Sequence, residues 1–246
     1  WCRPRRGAAA PHRLLRQGPP TVPSIEFIVM SCVSAAVVAA MALRDHRAAR
    51  RQRESMLDAC AGLIDAARID RGADGFPQLA GRWKGREVRV ALIADTMTIR
   101  RLPQIWLSVT LLDTDAGRPG LAALVRPSGA DFYSLTERFT ERFDTPPGFP
   151  GEIWIRGSSP AAQRLLDKAA PVMADVFSDA RVKEIAATDR GFRIIRQAAE
   201  GRRGPHLLLR QVAFDETSVR ADLLEQALGE LERLRSAAAH LSRKAD

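Results

Sequence analysis

From Phe27 to Leu43 the chain runs for 17 residues without a charge, FIVMSCVSAAVVAAMAL. With Ile25 and Glu26 the stretch approaches the roughly 20 residues that cross a hydrocarbon core of about 30 Å. The pattern predicts one transmembrane helix over residues 25–44. Two other readings stay open. Ala40-Met41-Ala42 offers a site for cleavage of a signal peptide, and the run can be a buried core helix, although no polar face interrupts it. Beyond Arg44 the apolar positions Leu57, Cys60, Ile64 and Ala67 recur at helical spacing, which predicts a juxtamembrane helix over 45–72 ended by Gly72 and Gly75.

The period then changes to two. Val88, Val90 and Leu92 alternate with polar residues, and Lys84-Gly85 sits in a turn before them, predicting a hairpin of 78–83 with 86–94. Dense apolar runs at 105–112 and 121–126 read as strands, Leu135, Phe139 and Phe143 as one face of a short helix over 134–143, and 152–156 as a further strand. Ser159-Pro160 opens a helix that Pro171 kinks or divides. A second hairpin pairs 182–188 with 191–197 around Asp189-Arg190-Gly191, 207–214 is a strand, and a final helix capped within 215–218 runs through Ser242. That helix carries Leu224, Ala227, Leu231, Leu234, Ala238 and Leu241 at a/d spacing, widened by Leu223 and Leu228. The broad stripe argues for packing on the protein's own sheet, with a partner helix or a second copy as the alternative.

The expected fold is therefore α+β, a mainly antiparallel sheet covered by helices in a domain spanning 73–246. An internal duplication is a further reading. It rests on Arg100–Leu107 against Arg202–Leu209 and on the hairpin segments 86–90 against 190–194, and it would superpose 76–143 on 180–242.

Charge changes the picture of where the body sits. The net +9 suggests nucleic acid or an anionic surface. It is not spread evenly, however. Residues 1–24 hold five Arg and no acid, and residues 25–53 hold five Arg against Glu26 and Asp45. The remaining 193 residues hold 28 basic and 27 acidic side chains and are nearly neutral. Arg44, Arg47, Arg50, Arg51 and Arg53 follow the apolar run directly, whereas the nearest basic residue before it is Arg16. Basic flanks stay cytoplasmic, so the expected topology has the N-terminus outside and the body in the cytoplasm. The five arginines are the expected contacts to anionic lipid head groups. An Ala-rich chain with only four Lys fits a GC-rich bacterial genome, making the bacterial inner membrane the expected location. Trp1 is not an initiator residue, and residues 1–24 read as a basic arm, disordered or non-native, with a start near Val22 or Met30.

Candidate chemistry is sparse. Asp113-Thr114-Asp115 follows an apolar strand, where a nucleophilic carboxylate of a hydrolase or transferase could stand. The residues after it read as a plain turn, and Leu124 occupies the position where a calcium loop needs Glu. His12, His46, His206 and His240 have no partner at ligand spacing, no C-x-x-C pair exists, and no P-loop or nucleophile elbow occurs. No catalytic residue, metal or cofactor is assigned on this basis. Trp83 with Arg82, Lys84, Arg86 and Arg89 could form a stacking and phosphate platform for nucleic acid, but a solvated hairpin face explains the same residues. The near-neutral body makes nucleic acid the less expected partner.

The segment Leu79-Ala80-Gly81-Arg82-Trp83-Lys84-Gly85-Arg86-Glu87-Val88 follows a short N-terminal segment, one span and a basic juxtamembrane helix. In that layout it resembles a group of bacterial single-pass membrane-anchored proteins of no assigned activity. The resemblance implies a membrane-anchored interaction or accessory domain and brings no catalytic residues with it.

Overall fold

The computed structural model describes residues 25–72, 75–95, 102–201, 214 and 218–239. The chain divides into two compact units, Trp1–Arg47 and Ala48–Asp246.

Helix α1 spans Ile25–Glu54, and none of its residues is buried. It is long and apolar enough to cross a membrane. The core-helix reading is thereby corrected: Phe27, Val29, Val38 and Met41 are all more than half exposed, with no protein packed over them. The basic arm at 1–24 lies outside the described residues.

The expected helix over 45–72 is also corrected. α1 stops at Glu54, a 3-10 turn covers Asp58–Leu63, and Asp65–Arg71 is a strand, β1. Leu57, Cys60 and Ile64 are buried as their spacing implied. They reach the core from the turn, where the Val219 amide donates to the Met56 carbonyl at 2.7 Å. The sequence Asp-Ala-Ala-Arg-Ile-Asp-Arg has no strand preference of its own; main-chain pairing with the next strand imposes extension on it.

The body is a nine-stranded sheet. After β1 come β2 (Pro77–Trp83), β3 (Arg86–Asp95), β4 (Gln104–Leu112), β5 (Leu121–Val125), β6 (Glu141–Arg142), β7 (Ile153–Gly157), β8 (Val182–Thr188) and β9 (Gly191–Glu200). Their spatial order is β1-β2-β3-β4-β9-β8-β5-β7-β6, and every pairing is antiparallel. The α+β architecture read from the sequence is the one present. Helices α2 (Ala162–Phe177) and α3 (Ala221–Ala239) pack on one face of the sheet and against each other. Pro171 lies inside α2 without dividing it. Alternation sends Leu79, Val88, Val90, Leu107, Val109, Ile185 and Ile194 to the helical side, where they join Leu165, Leu166, Leu224, Leu228 and Leu231 in one core. The a/d stripe of α3 is spent on this core: Leu224, Ala227, Leu231, Leu234 and Ala238 are all buried.

Two further expectations change. Residues 134–143 do not form a helix but a 3-10 turn at Thr136–Arg138 followed by β6. In this conformation the Phe139 ring covers Gly120, just before β5, and the Phe143 ring covers Gly157 of β7. The strand order does not repeat as a duplication requires. The β2–β3 hairpin hands its second strand to β4, the next strand in sequence, whereas β9 is flanked by β8 and that same β4. Both edges of β9 are occupied, so its next strand in sequence has no equivalent slot. Of the segment expected as that strand, only Phe214 is described; it bridges to Gly201.

Candidate functional site

The two carboxylates singled out after β4 are brought together with arginines. Arg118, almost wholly buried, donates from Nη2 to Asp113 Oδ2 at 2.7 Å and from Nη1 to the carbonyls of Asp113 (2.8 Å) and Thr188 (3.1 Å). Its guanidinium lies 4.4 Å from the centre of the Phe192 ring. Arg86 Nη1 reaches Asp113 Oδ1 at 3.4 Å, and Asp115 Oδ1 accepts from the Gly117 amide at 3.0 Å, closing a turn. This arrangement ties the β4–β5 turn to the β8–β9 hairpin. Arg118 carries no signal in the sequence beyond its place in that turn.

The expected nucleic-acid platform on β2–β3 splits across the sheet. Lys84 and Gly85 form the turn with φ of 48° and 78°. Alternation then places Trp83 and Arg86 on the helical side. Trp83 packs against the core, Lys84 Nζ lies 4.4 Å over its ring, and Arg86 Nε stands 3.8 Å from Glu232 Oε2 of α3. Arg82 and Arg89 fall on the opposite face. There they line an open groove of about 340 Å³ with Arg68 of β1, Ala80, Glu87 and Leu112. Among the described residues no aromatic side chain lines it.

The five arginines expected to contact lipid head groups are exposed along α1. Glu54 and Arg53 join the helix end to the strand region that follows, and Arg50 pairs with Glu54 within the helix. Arg50 Nε pairs with Glu54 Oε1 at 2.9 Å, Glu54 Oε2 takes Arg71 of β1 at 3.1 Å, and the Arg53 guanidinium lies 5.8 Å from the Phe76 ring centre. Arg44, Arg47 and Arg51 have no ionic partner among the described residues. Glu54, Arg71 and Phe76 were not distinguishable in the sequence as the body's half of this junction.

A buried charge network, which no local sequence pattern signals, lies on the face of the sheet opposite the helices. The segment 126–138 crosses the sheet face away from the helices, above Trp106 and Ile195, which form a small second core with Tyr133. Two pairs fasten it. Lys183 Nζ sits 3.1 Å from Asp131 Oδ1 and donates to the carbonyls of Val125 (3.0 Å) and Arg126 (2.6 Å). Glu184, fully buried, pairs with Arg193 and accepts from the Leu135 amide at 3.0 Å, while Arg193 also donates to the Tyr133 carbonyl at 3.0 Å. Burial pushes the Tyr133 phenol well above its ordinary value, and the Asp131 charge adds to this. Burial also raises Asp131, but the Ser128 amide and the Lys183 ammonium outweigh it and hold the carboxyl below its usual range.

The sign of the linkage follows. A carboxyl lowered in the fold contributes stability that is complete above its unfolded value and is lost as pH falls through its folded value. Asp131→Asn should therefore flatten the loss of stability between about pH 7 and about pH 3 relative to wild type. At neutral pH it should cost about 2 kcal/mol, since Lys183 loses its carboxylate. Urea unfolding at both pH values checks this; an unchanged slope would count against the assignment. Among the described residues no three His, Cys, Asp or Glu side chains come together to hold a metal ion.

No known protein family, no curated protein and no solved structure matches this chain.

Proposed function

We propose that the protein is a single-pass membrane protein of the bacterial cytoplasmic membrane. Residues 25–44 cross the bilayer, the N-terminus lies outside, and the body faces the cytoplasm as a binding or accessory domain. The observation that carries this reading is α1 itself, an uninterrupted 30-residue helix with no buried residue, attached to a body whose core is complete without it. Burying such a surface in lipid removes a large apolar area from water, at roughly 25 cal/mol per Å². Arg44, Arg47 and Arg51, without ionic partners among the described residues, supply the positive flank that keeps the following chain inside and meets anionic head groups. Asp113 and Asp115 support a non-catalytic body, since both are engaged in holding a turn.

Fractionation of bacterial cells producing the chain tests the anchor. It should stay with the membranes through washes with concentrated salt and with alkaline carbonate. Protease added outside spheroplasts should leave the body whole and digest it once the membrane is opened. Release by either wash would overturn the anchor, and digestion in intact spheroplasts would overturn the orientation.

A further inference from the structure

On the sheet face away from α2 and α3, Arg68 of β1 stands opposite Ala80 of β2, and Ala80 stands opposite Arg89 of β3. With strands about 4.8 Å apart, the two arginines flank Ala80 with their Cα atoms about 10 Å from each other. Arg82 lies two residues along β2 on the same face, about 7 Å from Ala80. Three guanidinium groups thus surround a floor made by a methyl group, and the floor is the bottom of the 340 Å³ groove. The opening on the β1 side comes from a bulge between Asp65 and Arg68, with Ala66 at φ 51°.

Among the described residues none of these three side chains has a hydrogen-bond or ionic partner, as is also true of exposed Arg142 and Arg164; what sets the three apart is that they line one groove. Elsewhere in the body, Arg71, Arg86, Arg118, Arg193, Arg196 and Arg235 are each paired with a carboxylate. Glu87, opposite Arg82 in register, forms the fourth corner without an ion pair to it. The groove therefore keeps two net positive charges and three planar donor forks, the equipment that binds phosphate oxygens in bidentate fashion.

We propose that this groove binds a phosphate-bearing anion, a phosphomonoester or pyrophosphate group held over Ala80 by Arg68, Arg82 and Arg89. The ligand chemistry is shared by a phosphatidic acid head group and by a soluble phosphorylated molecule. The site belongs to the body alone and stands whether or not α1 is an anchor.

The test uses the whole chain in nonionic detergent, titrated calorimetrically with inorganic pyrophosphate, dioctanoyl phosphatidic acid and dioctanoyl phosphatidylcholine. Saturable binding of one or both of the first two, and not of the third, is expected. Pyrophosphate binding identifies a soluble source, and binding of phosphatidic acid alone identifies the lipid. Arg68→Gln with Arg89→Gln should weaken binding at least about tenfold, a loss of about 1.4 kcal/mol. Arg142→Gln with Arg164→Gln, which removes the same charge from exposed sites elsewhere, should leave it unchanged. Ala80→Leu fills the floor without altering charge and should weaken binding as well. An unchanged unfolding midpoint certifies each variant as folded. Binding of neither phosphate probe, or equal weakening by the two arginine pairs, overturns the proposal.

Discussion

Gly191→Ala should destabilise the body by about 4 kcal/mol, a large share of the roughly 5–15 kcal/mol by which folded domains are stable. Gly191 opens β9 with φ at 148°, a conformation that L side chains rarely adopt. A Cβ there would lie 2.2 Å from the Leu111 carbonyl oxygen and 3.0 Å from both the Asp113 nitrogen and the Leu112 Cα. All three are backbone atoms of β4 or of the residue that follows it, so no side chain can swing aside. Relief requires β4 and β9 to part at the point where the Asp113 amide donates to the Arg190 carbonyl at 3.0 Å and Asp115 to Asp189 at 2.8 Å. The Arg118 clasp on Asp113 and Thr188 would loosen with them. Backbone strain of 1–3 kcal/mol and overpacking of similar size set the magnitude, roughly doubled where both apply. Gly229→Ala is the internal control. It lies in α3 with nothing within 4 Å of a new Cβ and should stabilise by about 0.5–1 kcal/mol. Denaturant midpoints of both variants check the pair; a Gly191→Ala loss below about 1 kcal/mol would refute the clash.

The second large effect concerns Arg196, which is wholly buried on the helical side of β9. Its Nη2 reaches Asp179 Oδ2 at 3.1 Å and Glu230 Oε1 of α3 at 3.3 Å, while among the described residues Nε and Nη1 have no hydrogen-bond partner, and neither has Glu230 Oε2. The network is only partly satisfied, and such a network is costly in a core. Arg196→Met should lose about 3 kcal/mol, because Glu230 keeps its burial and loses its cation. Asp179 is spared, since Arg181 holds both its oxygens at 3.1 and 3.0 Å. Adding Glu230→Leu should restore most of the loss, as replacing a buried pair by apolar side chains is often neutral or favourable. Burial raises Glu230 above its ordinary value despite Arg196 and Gln226 beside it. A raised carboxyl contributes stability that is present below its unfolded value and lost as pH rises through its folded one. The Arg196→Met variant should therefore gain stability between about pH 7 and about pH 5, and the double variant should not. Chemical denaturation at the two pH values reads both effects. A neutral single variant, or a double variant weaker than the single, would show that the pair is not energetically coupled.

These predictions rest on contacts of unequal legibility. The β2–β3 and β8–β9 hairpins were readable because period-two alternation and turn residues such as Lys84-Gly85 and Asp189-Arg190-Gly191 act within a few residues. The strand β1 was not, because Asp65–Arg71 carries no pattern of its own and is extended only by its neighbour. Residues 134–143 misled for the opposite reason: Leu135, Phe139 and Phe143 have helical spacing, but the rings are claimed by Gly120 and Gly157. Of the candidate site residues, Arg82 and Arg89 were singled out beside Trp83, Lys84 and Arg86. Side-chain alternation separates the two sets, and Arg68 joins the first only through pairing across β2.

By itself the sequence determined what is local. It specified an apolar helix long enough to span a bilayer, the five arginines behind it, two hairpins, an amphipathic α3 and the class of fold, each encoded in a period shorter than one element. Tertiary structure alone decided the order β1-β2-β3-β4-β9-β8-β5-β7-β6, the use of Asp113 as an anchor for Arg118, the buried Arg196–Glu230 pair and the three unpaired arginines around Ala80. Strand pairing joins residues as distant as Leu111 and Phe192, and the choice among such partners is made by the whole core at once. No local pattern carries it.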